Sequence, residues 1–212
     1  MSPELHISLS NLQSNIQFFQ RIIKKNTELS AVVKSDAYGL GITKIVPEIE
    51  RYGIRSFFTA TISEAIKVRS YSRDSEIFTL NGFDFLKSNL YREHNITPII
   101  NNILEAQKFI EIFNQTQKVA IQLNTGMNRL GLDKQSLLDN IDIVKSLPLN
   151  LILSHLACAD ETSNKENKEQ KDLFIKLCKF LPNIRQSISA SHGTLLGTEF
   201  HFDMVRPGIG LY

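Results

Sequence analysis

Several residues able to do chemistry stand singly, each at or just beyond the end of a short apolar run. Lys34 follows Ala31, Val32 and Val33 in AVVKSDAYGLG (residues 31–41), with Tyr38 and two glycines just beyond it. An amine drawn out of water has its charged form disfavoured, and it then serves as a nucleophile or as the partner of a carbonyl group. Arg129 closes NTGMNR, His155 opens HLACAD, Ser191 and Gly193 lie in ASHG, and Arg206 leads RPGIG, which holds Gly208 and Ile209. Glycines that let backbone N–H groups approach an anion, with the Tyr38 and Ser191 hydroxyls, form a donor set for phosphate, and the two arginines point toward the same mouth. Together with the lysine, this set suits pyridoxal 5'-phosphate, whose aldehyde would take the amine and whose phosphate would take the N–H donors. Each residue alone has a plainer reading: a lysine snorkelling to water, glycines in turns, arginines in rim ion pairs.

The elements that must position these residues alternate along the chain. Strand-type runs are expected at Ala31–Lys34, Ser56–Ala60, Glu76–Leu80, Thr97–Ile100, Val119–Leu123, Leu149–Ser154, Ser187–Ala190 and Met204–Val205. Helical spacing is expected over Asn11–Lys25 with Ser10 as its cap, and at about 43–52, 63–71, 83–94, 103–113, 134–146 and 168–180. Eight strands separated by helices predict an α/β (β/α)8 barrel formed by one domain over residues 1–212. In that fold functional groups gather at the C-terminal ends of the strands, and phosphate sits after strands 7 and 8. The singled-out residues fall at such ends. A complete barrel of this kind takes about 250 residues, so the chain reads as cut short of its last helix.

Composition narrows the function classes. The 24 basic and 22 acidic residues are interspersed, with no basic stripe to meet a nucleic acid. No run approaches the ~18 apolar residues of a membrane span, and the opening residues MSPELHISLSNLQ show neither the basic nor the apolar region expected of a secretory leader. Cys158 and Cys178 have no disulfide or Cys-x-x-Cys spacing and read as small buried hydrophobes of a reducing cytoplasm. The polar stretch 160–172 reads as a solvated loop leading into a helix.

AVVKSDAYGLG closely resembles the cofactor-attachment segment of alanine racemases. The likeness continues through LNTGMNRLG (123–131), SHLACAD (154–160) and HFDMVRPGIGLY (201–212), in the family's order. The resemblance implies the pyridoxal-phosphate barrel domain of a bacterial enzyme that interconverts L- and D-alanine for the cell wall. It makes Lys34 the Schiff-base lysine and the proton acceptor on the D-alanine side. Tyr38, Ser191 and the N–H groups of Gly208 and Ile209 would bind phosphate, and Arg206 would face the pyridine nitrogen. His155 would support Arg206, and Arg129 would lie by the phenolic oxygen and the substrate carboxylate. A homodimer is implied for the full-length family, whose C-terminal β-domain supplies a tyrosine as the second base. By that comparison the chain reads as truncated, and the 212 residues alone are expected to racemise alanine little or not at all.

Departures accompany the likeness. Gln122 stands where many members carry a carbamylated lysine, so no carbamate is expected. Asn124 replaces a frequent aspartate, and Ala190-Ser191-His192 replaces the commoner Asn-Ser-Ala. Alternatives are a single-domain protein that buffers pyridoxal phosphate, a racemase for another amino acid, or a metal-dependent hydrolase using His155, Asp160, His192, His201 and Asp203.

Overall fold

The computed structural model describes residues 4–212, in which nine short parallel strands follow one another around a ring. They are β1 (Glu28–Leu29), β2 (Ala31–Val32), β3 (Ser56–Thr59), β4 (Glu76–Thr79), β5 (Thr97–Ile100), β6 (Val119–Gln122), β7 (Leu149–Leu153), β8 (Arg185–Ser187) and β9 (Met204–Val205). Strands β2 to β8 pair in chain order, and β9 pairs with β1. Backbone bonds close the circle. Ser30 N–H donates to Val205 O (3.0 Å), Val32 N–H to Pro207 O (2.9 Å), and Arg206 N–H to Ser189 O (2.8 Å). Thus β1 and β2 are one extended segment interrupted at Ser30, and the eight-position barrel expected from the rhythm is present.

Period-two alternation fills the ring. Val32, Phe58, Phe78, Ile99, Ala120, Leu151, Leu153 and Met204 pack inside it, with the Phe58 and Phe78 rings stacked at 4.7 Å. A larger apolar layer lies between strands and helices. At the N-terminal end of the barrel Arg185 pairs with Glu28 (3.1 Å) and Glu76 (2.7 Å), which plugs the floor with a polar lock.

The surrounding helices are Leu9–Ile22, Ile42–Arg51, Ile62–Arg69, Ser88–Glu93, Ile103–Phe113, Lys134–Asp139, Ile141–Lys145, Lys165–Cys178 and Ser191–Leu195. Helix Ile103–Phe113 is capped by Asn102 and ends in left-handed Asn114, as its sequence dictates. Elsewhere the expectations need correction. The first helix is capped by Ser8, whose Oγ accepts from Asn11 N–H, rather than by Ser10. The run at 134–146 breaks at Asn140, and 83–94 shortens to a 3-10 turn followed by Ser88–Glu93. The seventh strand lies earlier than expected because Arg185 faces the floor lock, and Ser191 consequently opens a short helix. No helix among the described residues is long and apolar enough to cross a membrane.

Candidate active site

The strand expected to end at Lys34 ends at Val32, and the chain then makes a left-handed turn. Ser35, Asp36, Ala37 and Tyr38 all have φ between 53° and 55°. Each such residue that is not glycine costs roughly 1–2 kcal/mol, so surrounding bonds must hold the turn. Asp36 Oδ1 accepts from Ile42 N–H (3.0 Å) and from Lys67 Nζ (2.7 Å), bonds that hold its carboxyl below the usual range. Glu64 Oε1 accepts from Ser35 N–H at 2.7 Å. The outcome is that Lys34, half-buried, lines a cavity of about 630 Å³ at the C-terminal end of the barrel. That volume suits a small cofactor together with a substrate.

Arg206 points into the same cavity from β9, two residues beyond the inward Met204. It is only 3% exposed, and burial pushes its guanidinium down to about 9. One terminal nitrogen donates to Ser187 Oγ and the other to Ser154 O at 2.6 Å, and the group lies 5.7 Å over the Phe58 ring. His155, also in the cavity wall, is held down at about 3, first by burial and then by the charges of Arg206, Arg129 and Lys34. Among the described residues, none of these three cations forms an ion pair with a carboxylate. A cavity lined this way attracts anions strongly, because buried positive charge without a partner is costly.

Arg129 is exposed on a loop after β6 that still lines the cavity. Asn124 organises that loop: its Oδ1 accepts from Gly126 N–H (3.1 Å) and Asn128 N–H (3.0 Å). Gly131, at φ 100°, lies so close to Gln122 O that a side chain there would collide with backbone. The Gln122 amide, buried, donates to Leu130 O at 3.4 Å. Gln170 braces both this loop and the next. Its Oε1 accepts from Ala157 N–H (2.8 Å), and its Nε2 donates to His155 O (3.1 Å) and Thr125 Oγ1 (3.3 Å).

Tyr38, Ser191, Gly208 and Ile209 converge at the opposite wall. Gly208 and Gly210 N–H each donate to Ser191 Oγ at 3.0 Å, and burial pushes the Tyr38 hydroxyl up from its ordinary value. The Gly208 N–H expected to face an anion thus meets the Ser191 hydroxyl. A Cβ at Gly208 would overlap Tyr38 Oη and press on Val32. Tyr38 also packs against Tyr212 at 5.3 Å between ring centres, and Tyr212 donates its hydroxyl to Val32 O (2.9 Å).

Of the metal-ligand candidates, His155, Asp160 and His192 line the cavity, whereas His201 and Asp203 lie away from it. His201 is buried; Nδ1 accepts from Lys24 N–H (3.3 Å) and Nε2 donates to Thr194 O (2.9 Å), leaving no lone pair for a metal. Asp203 accepts from Gln186 N–H at 2.8 Å. No cluster of three or more metal-ligating side chains occurs among the described residues. Cys178 is buried and its thiol is pushed up to about 12 by burial, whereas Cys158, expected to be buried, is half-buried in the loop after β7. Sequence reasoning missed Glu64, Gln170 and Ser154. The Thr61-x-x-Glu64 capping box was legible; for Gln170, a polar residue on a helix, no local signal existed.

A family model described as "Alanine racemase, N-terminal domain" matches residues 7–212. Curated alanine racemases of Rickettsia akari and Rickettsia canadensis are 35% and 37% identical to the chain over 215 residues, covering 98% of it. The chain spans 60% of the length of these relatives. Among solved structures, alanine racemase from Bartonella henselae with covalently bound pyridoxal phosphate superimposes with a TM-score of 0.91 at 34% identity, over 97% of this chain and 62% of that one. The biosynthetic alanine racemase of Pseudomonas aeruginosa gives 0.87 at 28% identity, over 96% of this chain and 57% of that one.

Proposed function

Because the chain belongs to the alanine racemase N-terminal domain family, we propose that it is the pyridoxal-phosphate-binding barrel of an enzyme that interconverts L- and D-alanine. The observation that carries this reading is the pairing of a cavity lysine with two arginines that form no ion pair among the described residues. Lys34 supplies an amine, and Arg206, Arg129 and His155 supply donors for anionic groups. The donor set fits the cofactor. The Tyr38 and Ser191 hydroxyls and the Ile209 N–H would hold the phosphate, the Gly208 N–H, bonded to Ser191 Oγ, would join them by turning from that hydroxyl, and Lys34 would attach to the carbonyl carbon.

When bound, pyridoxal phosphate would withdraw electrons from the substrate α-carbon and so make its proton removable. The residues do the rest. Arg206 would face the ring as a fixed cation, and a second positive charge beside it is disfavoured, so the pyridine nitrogen would stay unprotonated. His155, neutral over the physiological range, can pack beside the ring without adding charge. Arg129 would take the substrate carboxylate as a bidentate partner. Lys34 Nζ, facing the cavity as a free amine, would accept the α-proton on one face. Racemisation returns a proton on the other face, so this reading places a second acid/base group across the cavity from Lys34.

The finer parts of the reading go with it: alanine as substrate, a homodimer, a cytoplasmic enzyme and a role in supplying D-alanine to the cell wall. Residues 1–212 would act in it as a single cofactor-binding unit. The test is borohydride reduction of the chain after incubation with pyridoxal phosphate, followed by peptide mass spectrometry. A single phosphopyridoxyl group on Lys34, absent in Lys34→Ala, is the expected result. Label on other lysines alone, or no label, would overturn the reading.

A further inference from the structure

We infer that Glu64 is a positioning residue that holds the Lys34 turn in its cofactor-accepting shape, an assignment that rests on the reading of Lys34 above. Four consecutive left-handed residues that are not glycine follow Lys34. Bonds internal to the turn, such as Ala37 N–H to Val33 O (2.9 Å) and Gly39 N–H to Ser35 O (2.8 Å), tie it to itself. Anchors from outside must fix its direction. Two come from one helix, Ile62–Arg69: Lys67 grips Asp36, and Glu64 grips the Ser35 amide. The Ser35 amide belongs to the peptide joining Lys34 to Ser35. Its orientation therefore sets where the Lys34 side chain leaves the backbone.

Glu64 does more than a capping residue needs to do. One oxygen closes the capping box, accepting from Thr61 N–H (3.3 Å) and Ala60 N–H (2.7 Å). The other crosses to the neighbouring βα loop and takes Ser35 N–H at 2.7 Å. A carboxylate is acceptor-only at both oxygens, which three amide donors require. A glutamine would turn an NH2 group toward at least one of those donors. The helix cap itself can be weakened separately, because Thr61 Oγ accepts from Glu64 N–H (3.3 Å) without touching the turn.

The experiment compares Glu64→Gln with Thr61→Ala in the 212-residue chain by two readouts. Without cofactor, amide hydrogen exchange across 35–38 should accelerate about tenfold in Glu64→Gln, the loss of one charge-assisted bond, and stay near wild type in Thr61→Ala. With cofactor, the dissociation constant for pyridoxal phosphate should rise about tenfold in Glu64→Gln and change less than about twofold in Thr61→Ala. Should Glu64→Gln fail to fold by circular dichroism, Glu64→Asp, which keeps the charge on a shorter arm, replaces it with the same expected direction. Wild-type exchange and affinity in the Glu64 variant, or equal losses in both variants, would overturn the assignment. A wild-type chain that takes up no cofactor defeats the cofactor reading instead, and the exchange comparison still decides whether Glu64 holds the turn.

Discussion

Charge at single residues decides what this cavity can bind. His155 is depressed from 6.5 to about 3, so the unfolded chain carries a proton that the folded chain refuses throughout that interval. Stability therefore rises with pH across the window and is lost on acidification below pH 6.5. Between pH 6.5 and pH 5 the loss from this group amounts to about 2 kcal/mol. Urea unfolding at the two pH values should show it, and His155→Gln should flatten the dependence. An anion bound among the cations would relieve part of the repulsion on His155. Saturating inorganic phosphate should consequently raise the imidazole pKa followed by NMR. Arg206 behaves differently: even pushed down to about 9 it stays charged at neutral pH, so its positive charge in the cavity wall does not titrate away.

Short elements carry the geometry that single residues cannot. Ser35 is exposed and left-handed, so Ser35→Gly should remove conformational strain and raise stability by about 0.5–1 kcal/mol. Ser35→Val places a β-branched side chain where it fits worst and should lower stability by ~1–2 kcal/mol. Equilibrium denaturation checks both. Gly208 poses the opposite constraint, of space, since a methyl group there collides with Tyr38. Gly208→Ala should weaken pyridoxal phosphate binding by about tenfold, read by fluorescence titration, while the fold persists. The expectation of a strand through Lys34 failed for the same local reason. Val32 and Val33 favour extended backbone, but neither reveals that Glu64 and Asp36 hold the next four residues in a left-handed conformation.

At the scale of the whole ring, the floor lock is the counterpart of the mouth. Arg185→Met would leave Glu28 and Glu76 facing each other, and because the pairs are about one-third exposed the cost should be about 1–2 kcal/mol. Adding Glu76→Gln should recover part of that in urea titration. Much of this architecture was legible in the sequence. Strand and helix periods are local consequences of backbone geometry, and the βα rhythm forces parallel pairing, so the barrel and the residues near its strand ends could be read in order. Lys34, Tyr38, Arg129, His155, Ser191, Arg206, Gly208 and Ile209 stand out in the sequence at or just beyond strand-type runs, and all eight border one cavity. What the residues do to one another was not legible. That Gln170 braces two loops, that Ser154 and Ser187 hold Arg206, and that three cations line one cavity without an ion pair among the described residues all depend on distances across the ring. Those distances exist only after Ser30 and Val205 join its ends, because hydrogen bonding and charge act over a few ångströms of space, whatever the separation along the chain.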